Sequence, residues 1–278
     1  MNTVIKMSVI SLIVALLLSS CLSESNKERS IQSIDTQLVA DETNNEKVER
    51  IKKIFYTLPS PLEVTMMFKK GGVQYHSDIL HPTAKRNDYN NTLSKALNLG
   101  VYGADLSYVG LFAKHEAALK YLATSQIMAD DLGIGSTFQE GFISRLEENA
   151  GNKDTLLKVL GEFFLKNDQY LKDSQYQDLS TYILAASWVE GMYLGTKMVD
   201  ERKNAEGIKN IIINQRIPLH NVIVLLQNTM ISETSGEILK MLGELESVYS
   251  GIEGEMSEQE FLIIKSKIED ARSFIINL

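Results

Sequence analysis

The chain reads as an all-α protein, a multi-helix bundle of packed helical hairpins behind a signal peptide and a flexible tether. Three observations predict this. Proline occurs only at positions 59, 61, 82 and 218, so a long middle stretch holds nothing that forbids helix. From Glu46 onward apolar residues recur at helical spacing. Capping-box sequences stand ahead of several of these runs. The division that follows is a signal peptide over residues 1–20, a tether over 21–45 and an all-α globular domain over 46–278.

The elements follow in order. Lys6 places positive charge near the amino terminus, and Met7 to Leu18 is apolar except for Ser8 and Ser11. That run is too short for a permanent span, which needs about 20 apolar residues, and it has the layout of a signal-peptide core. Leu22 to Asn45 is rich in Ser, Glu, Asn, Lys, Thr and Gln, with no sustained periodicity. It reads as mostly disordered, because it cannot bury enough apolar surface to offset ordering. Val48, Ile51, Ile54, Phe55 and Leu58 predict a helix that stops at Pro59-Ser60-Pro61. Ser60 then caps a short helix with Pro61 in its first turn, ended by Gly71-Gly72. Val73 to Pro82 is the least regular part of the body.

Helical patterning resumes near Asp88 and continues to Asp131, where Leu132-Gly133-Ile134-Gly135 breaks it. Thr137-Phe138-Gln139-Glu140 is a capping box, and Ala150-Gly151 ends the helix it opens. Asn152 caps a helix carrying Leu156, Leu157, Leu160, Phe163 and Phe164. A long helix is expected from about Asp178 to Lys203. Ile208 to Met230 is helical on both sides of Pro218, which breaks or kinks it. Its runs Ile211-Ile212-Ile213 and Val222-Ile223-Val224-Leu225-Leu226 are the best strand candidates, but turn signals at strand spacing are missing and buried helix is preferred. Thr234 with Glu237 caps a helix through Tyr249. Ser257 with Glu260 caps the last one, whose apolar face uses Phe261, Ile264, Ile268 and Phe274 or Ile275.

Composition narrows the function classes. The chain has 36 acidic and 28 basic residues; losing residues 1–20 removes only Lys6 and leaves a net charge of −9. Such a surface is poorly suited to nucleic acid. Cys21 is the only cysteine, which excludes an internal disulfide. No Gly-rich phosphate loop, H-E-x-x-H or G-x-S-x-G sequence occurs. His76 and His81 flank Asp78 in the irregular segment, but loop spacing fixes no geometry, and no metal or cofactor is assigned.

Two stretches carry the nearest approach to a site. Asp105 is the only charge in Ala96 to Ala113, and Glu190 the only charge in Leu179 to Thr196. Both stretches mix Gly, Ala and Ser with aromatics, so they are placed as the two central helices, with the acids on neighbours. Asp105 shares a face with Val101, Tyr108 and Phe112; Glu190 shares one with Ile183, Ala186 and Leu194. A carboxyl buried in such a helix has its pKa raised unless a cation or hydrogen-bond donors hold it ionised. The candidate ligand-binding residues are Tyr102, Asp105, Tyr108, Trp188, Glu190 and Tyr193. In the plainer reading the two acids accept hydrogen bonds from Tyr hydroxyls or cap neighbouring helices. Paired acids also fit glycoside hydrolysis, where their separation decides.

Leu18-Ser19-Ser20-Cys21, following the apolar core, resembles the lipobox of bacterial lipoproteins. The resemblance implies diacylglycerol on the Cys21 thiol, cleavage before it and acylation of the new amino terminus by palmitate or a related chain. It places the protein in the cell envelope, held to the membrane through acylated Cys21. Leu22 in place of Asp argues, by the enterobacterial sorting rule, for the outer membrane, and Ser23-Glu24 resembles acidic surface-export signals. Phe55-Tyr56-Thr57-Leu58-Pro59-Ser60-Pro61-Leu62-Glu63 and Tyr102-Gly103-Ala104-Asp105 resemble features of helical lipoproteins from Bacteroidetes. The expected function is a non-enzymatic binding or interaction module for an envelope protein or small-molecule ligand. The alternative is an envelope hydrolase using the carboxylate pair.

Overall fold

The computed structural model describes residues 61–70, 74–135, 141–148, 177–199, 205–229 and 232–278, with isolated positions between 46 and 59 and between 155 and 166. The signal peptide, the tether, the Thr137–Glu140 capping box and most of the helix expected after Asn152 lie outside the described residues. Among the described residues all regular structure is helical, and no strand forms. The helices are α1 (Pro61–Lys70), a short 3-10 helix (Thr83–Asp88), α2 (Thr92–Leu111), α3 (His115–Asp131), α4 (Phe142–Glu148), α5 (Gln177–Lys197), α6 (Ala205–Ile213), α7 (Arg216–Gln227), α8 (Glu233–Ser250) and α9 (Glu258–Ile276).

α2 is the centre of the body. Sixteen of its twenty residues are buried, so it presents no solvent face, as its near absence of charge requires. α5 is its main partner, and α1, α3 and α9 also pack on it. The expectation that small residues bring the two helices together holds at atomic detail. A Cβ added to Gly100 would stand 2.2 Å from the main-chain oxygen of Ile183. The Ser187 hydroxyl donates to the Gly100 carbonyl at 3.0 Å across the same crossing. On another face of α5, a Cβ at Gly195 would enter the Phe68 ring of α1.

Helix ends follow local chemistry, with informative differences. Ser257 caps α9 in a reciprocal box with Glu260, as expected. α8 is capped by Ser232 with Ser235 rather than by Thr234 with Glu237, so it begins one position before Thr234. A serine stands where the box sequence calls for Glu or Gln, and its hydroxyl accepts the Ser232 amide N–H at 2.8 Å. The break near Pro218 comes earlier than the proline itself, at Asn214–Gln215, and Pro218 occupies the first turn of α7, where its missing N–H costs nothing. The long helix ends at Lys197 rather than near Lys203.

The patterning from Asp88 to Asp131 is two helices. α2 is capped by Asn91 with Ser94. It ends at a left-handed Ala113, φ 53°, where Ala113 N–H donates to Gly110 and Lys114 N–H to Val109. The same pair of bonds closes α3 around Gly133, φ 73°. Glycine takes that conformation freely and alanine does not, so only the second break is visible in the sequence.

The α2–α5 crossing yields a paired prediction. Gly100→Ala must push the backbones apart and should cost about 1–3 kcal/mol or more, the scale of core overpacking. Gly103, on the same helix, has no atom within 4 Å of its missing Cβ, so Gly103→Ala should gain about 0.5–1 kcal/mol from helix propensity. Urea unfolding of both variants checks the contrast.

Candidate functional site

The two isolated acids meet. Asp105 on α2 and Glu190 on α5 are both 0% exposed, and their carboxyls are in hydrogen-bond contact with each other. Neighbouring central helices therefore carry them, as the sequence suggested. Two carboxyls in a dry core require a counter-charge, and Arg272 of α9 supplies it. Its Nε donates to Glu190 Oε2 at 2.7 Å and its Nη2 to Oε1 at 3.1 Å, a two-point clamp of the kind a guanidinium favours. The Arg272 guanidinium lies 3.9 Å from the Tyr193 ring centroid, a cation–π contact. Arg272 keeps 11% of its side chain exposed, so Arg272 and Tyr193 form the outer seal of the cluster.

Asp105 is held differently. Its Oδ2 accepts the His81 amide N–H at 3.0 Å. Its Oδ1 is buried and meets no donor among the described residues. Burial, then the charge of Glu190, pushes the Asp105 carboxyl well above the ordinary carboxylate range. Burial raises Glu190 too, while Arg272, its direct partner, pulls it back toward the ionised form. The two groups titrate as a unit.

The segment before α2 is fastened over this cluster by tyrosines. Tyr102 donates to the Pro82 carbonyl at 3.0 Å, and Tyr121 of α3 to the His81 carbonyl at 2.8 Å. Tyr108 receives the His76 amide at 2.7 Å and stacks on Tyr75, with centroids 5.4 Å apart. The His81 ring nitrogen Nε2 is hydrogen-bonded to the Tyr89 hydroxyl at 2.6 Å. Burial, then Arg272, holds His81 down to about 4, so its imidazole is neutral.

Of the sequence-selected residues, Tyr102, Asp105, Tyr108, Glu190 and Tyr193 thus belong to one connected cluster. Trp188 stands apart. It walls a void of about 10 Å³ with Leu58, Pro59, Val64 and Leu184, and its indole N–H finds no acceptor among the described residues. None of the six lines the open cleft between the 75–84 segment and α3. Arg272 was missed. The available signal was its place on α9: it follows Ile268 by four residues, beside the buried stripe of Ile264, Ile268, Ala271 and Ile275, an unusual seat for a cation.

The open cleft measures about 670 Å³ and lies between the 75–84 segment and the start of α3, with Tyr75, Pro82, Lys114, His115, Ala117 and Tyr121 in its walls. Lys114 Nζ sits 4.5 Å from the Tyr75 ring centroid, and Lys120 pairs with Glu116 at 2.8 Å. No side chain caps α3. Tyr121 connects the two regions, lining the cleft while its hydroxyl holds the main chain of His81. No cluster of three or more metal-ligating side chains occurs among the described residues.

Comparison with protein-family models, with curated proteins and with solved structures finds no match.

The ion pair makes a sharp stability prediction. Glu190→Gln strands the Arg272 cation in a site that is nine-tenths closed, and should cost about 3–5 kcal/mol. Adding Arg272→Met removes the stranded charge and should recover part of that loss. Chemical unfolding of the single and double variants measures the coupling.

Proposed function

We propose that this is a lipid-anchored cell-envelope protein that acts as a non-enzymatic binding module. The observation that carries the reading is the state of the two acids. Hydrolysis by a carboxyl pair needs both groups against a substrate. Asp105 and Glu190 are 0% exposed and are occupied by each other, by the His81 amide and by Arg272. They act as internal fastenings, which favours a binding module over a hydrolase built on this pair.

The open cleft beside Tyr75 and Tyr121 is the seat favoured for a ligand or for the side chain of a protein partner. It combines aromatic walls with the ammonium groups of Lys114 and Lys120, a mixture suited to orienting a small or projecting group. The Leu18–Cys21 sequence supports the anchor. No helix among the described residues is long and apolar enough to cross a membrane, and acyl chains at Cys21 supply attachment without one, each buried methylene contributing about 0.8 kcal/mol.

Two expected outcomes test this reading. A fatty-acid probe fed to cells should label the wild type and leave Cys21→Ser unlabelled; label on the serine variant removes the anchor. Ala117→Trp, which fills the cleft at an already half-buried position, should leave the unfolding midpoint within about 1 kcal/mol of wild type. The same variant should lose the partner that crosslinks to wild type in native membranes. Unchanged crosslinking would move the binding site elsewhere.

A further inference from the structure

The contact between Asp105 and Glu190 poses a hydrogen-bonding problem with a single economical answer. Glu190 spends both oxygens on the Arg272 fork. Asp105 spends Oδ2 on the His81 amide, while Oδ1 is sealed from solvent and meets no donor among the described residues. Were both groups ionised, two like charges would touch in a dry core with one guanidinium between them, an arrangement that low polarity penalises heavily. One proton on Asp105, donated toward Glu190, satisfies the orphaned carboxyl and makes the cluster neutral. We infer that Asp105 and Glu190 form a one-proton binding site, filled at neutral pH, whose proton latches helix α9 to the α2–α5 core and whose release in alkali lifts that helix.

Helix α9 is the moving part because of where the cluster is closed. Asp105 and Glu190 belong to the two most deeply packed helices, whereas α9 brings the cation and the outer seal. Of the three charged groups, Arg272 alone keeps part of its side chain in solvent. The other polar ties of α9 lie at its end or toward the surface: Asn98 and Tyr89 donate to the Ile275 and Ile276 carbonyls, and Lys197 pairs with Glu269 at 2.6 Å, Lys267 with Glu244 at 3.0 Å and Lys209 with Glu258.

The neighbours leave the pair alone in the relevant range. On α2, Tyr108 is pushed up to about 12 by burial, and Tyr102 further in the same direction. Tyr89, after the 3-10 helix, is pushed up to about 12, and Tyr121 of α3 is raised beyond it. Tyr75 is raised as well, chiefly by burial. Tyr193 of α5 carries the guanidinium on its ring face. Lys85 and Asp88 of the 3-10 helix pair with each other at 2.9 Å in solvent, so neither neutralises the cluster. His81 is neutral above about 4.

The sign of the pH dependence follows from linkage. An unfolded Asp releases its proton near 3.8, while the native pair keeps its own. Folding therefore weakens about tenfold per pH unit as pH rises from there to the pair's own pKa. His81 works in the opposite sense: its unfolded ring takes up a proton below 6.5 and the native ring resists until about 4. The two slopes offset each other between those values, and above 6.5 the pair acts alone.

The test uses the full chain in mild detergent, wild type beside Asp105→Asn, whose amide donates to Glu190 with no proton to lose. Urea unfolding over roughly pH 6.5 to 9 should show the wild-type folding constant falling by up to tenfold per unit, and the variant flat by comparison. The infrared C=O stretch of a protonated carboxyl should be present in wild type at neutral pH and missing from Asp105→Asn. Hydrogen exchange, corrected for intrinsic rate, should show α9 losing protection before α2 as pH rises, in wild type alone. Equal pH slopes in the two proteins, or no protonated-carboxyl band in wild type, would overturn the proton site. Loss of that band on adding sodium or potassium chloride would assign the site to a cation and overturn it too. Equal protection of α9 and α2 in alkali would overturn the latch. The wild-type infrared band decides the central point even if the asparagine variant does not fold.

Discussion

Three helices meet at a charge cluster whose two acids are closed from solvent, and much of the body is organised by what that cluster demands. Asp105, Glu190 and Arg272 come from α2, α5 and α9, and each is useless to the fold without the others. A lone carboxylate in this position would cost several kcal/mol in desolvation. The guanidinium removes part of that cost, the His81 amide removes more, and a shared proton removes the rest. The cluster adds little net stability compared with an apolar core of the same volume. What it contributes is selection, since apolar stripes on three helices can slide past one another, whereas a two-point clamp accepts one register.

That register is reached only because α2 and α5 approach so closely. Gly100 lets its helix rest against the Ile183 carbonyl, and the Ser187 hydroxyl bridges the crossing. A pair of larger residues there would separate the carboxyls and admit water between them. The same closeness explains the tyrosines. Tyr102, Tyr108 and Tyr121 fill the remaining volume with rings and use their hydroxyls to hold the main chain of the irregular 74–82 segment, which no helix ladder or sheet satisfies. The cleft outside is then a by-product of that wrapping, with Tyr121 touching both the interior and the opening.

Much of the helical fold was legible in the sequence, and the exceptions have local causes. The cap of α9 and the end of α3 at Gly133 rest on interactions within a few residues, so residue type and spacing suffice. The end of α2 does not: Ala113 adopts a left-handed conformation that glycine would have advertised. Thr234 with Glu237 has the box sequence, yet the cap falls on Ser232 with Ser235, because the point where the chain enters the helix decides which residue caps it. Pro218 marked a boundary correctly but sits just inside the helix that follows it rather than at the break.

The site divides the same way. An acid alone in an uncharged, small-residue helix is visible in sequence, because such a helix must be buried on all sides and its charge must be answered. By itself the sequence therefore determined an all-helical body, two central helices and the two residues around which its interior is built. Only the tertiary structure decided that the acids face each other, that Arg272, 82 residues from Glu190 along the chain, is their cation, and that Trp188 looks elsewhere. The physical reason is range. Caps, periodicity and helix burial are set by neighbours within a turn or two. The partner of a buried charge is chosen by how three helices cross, and that is settled by the packing of every side chain between them.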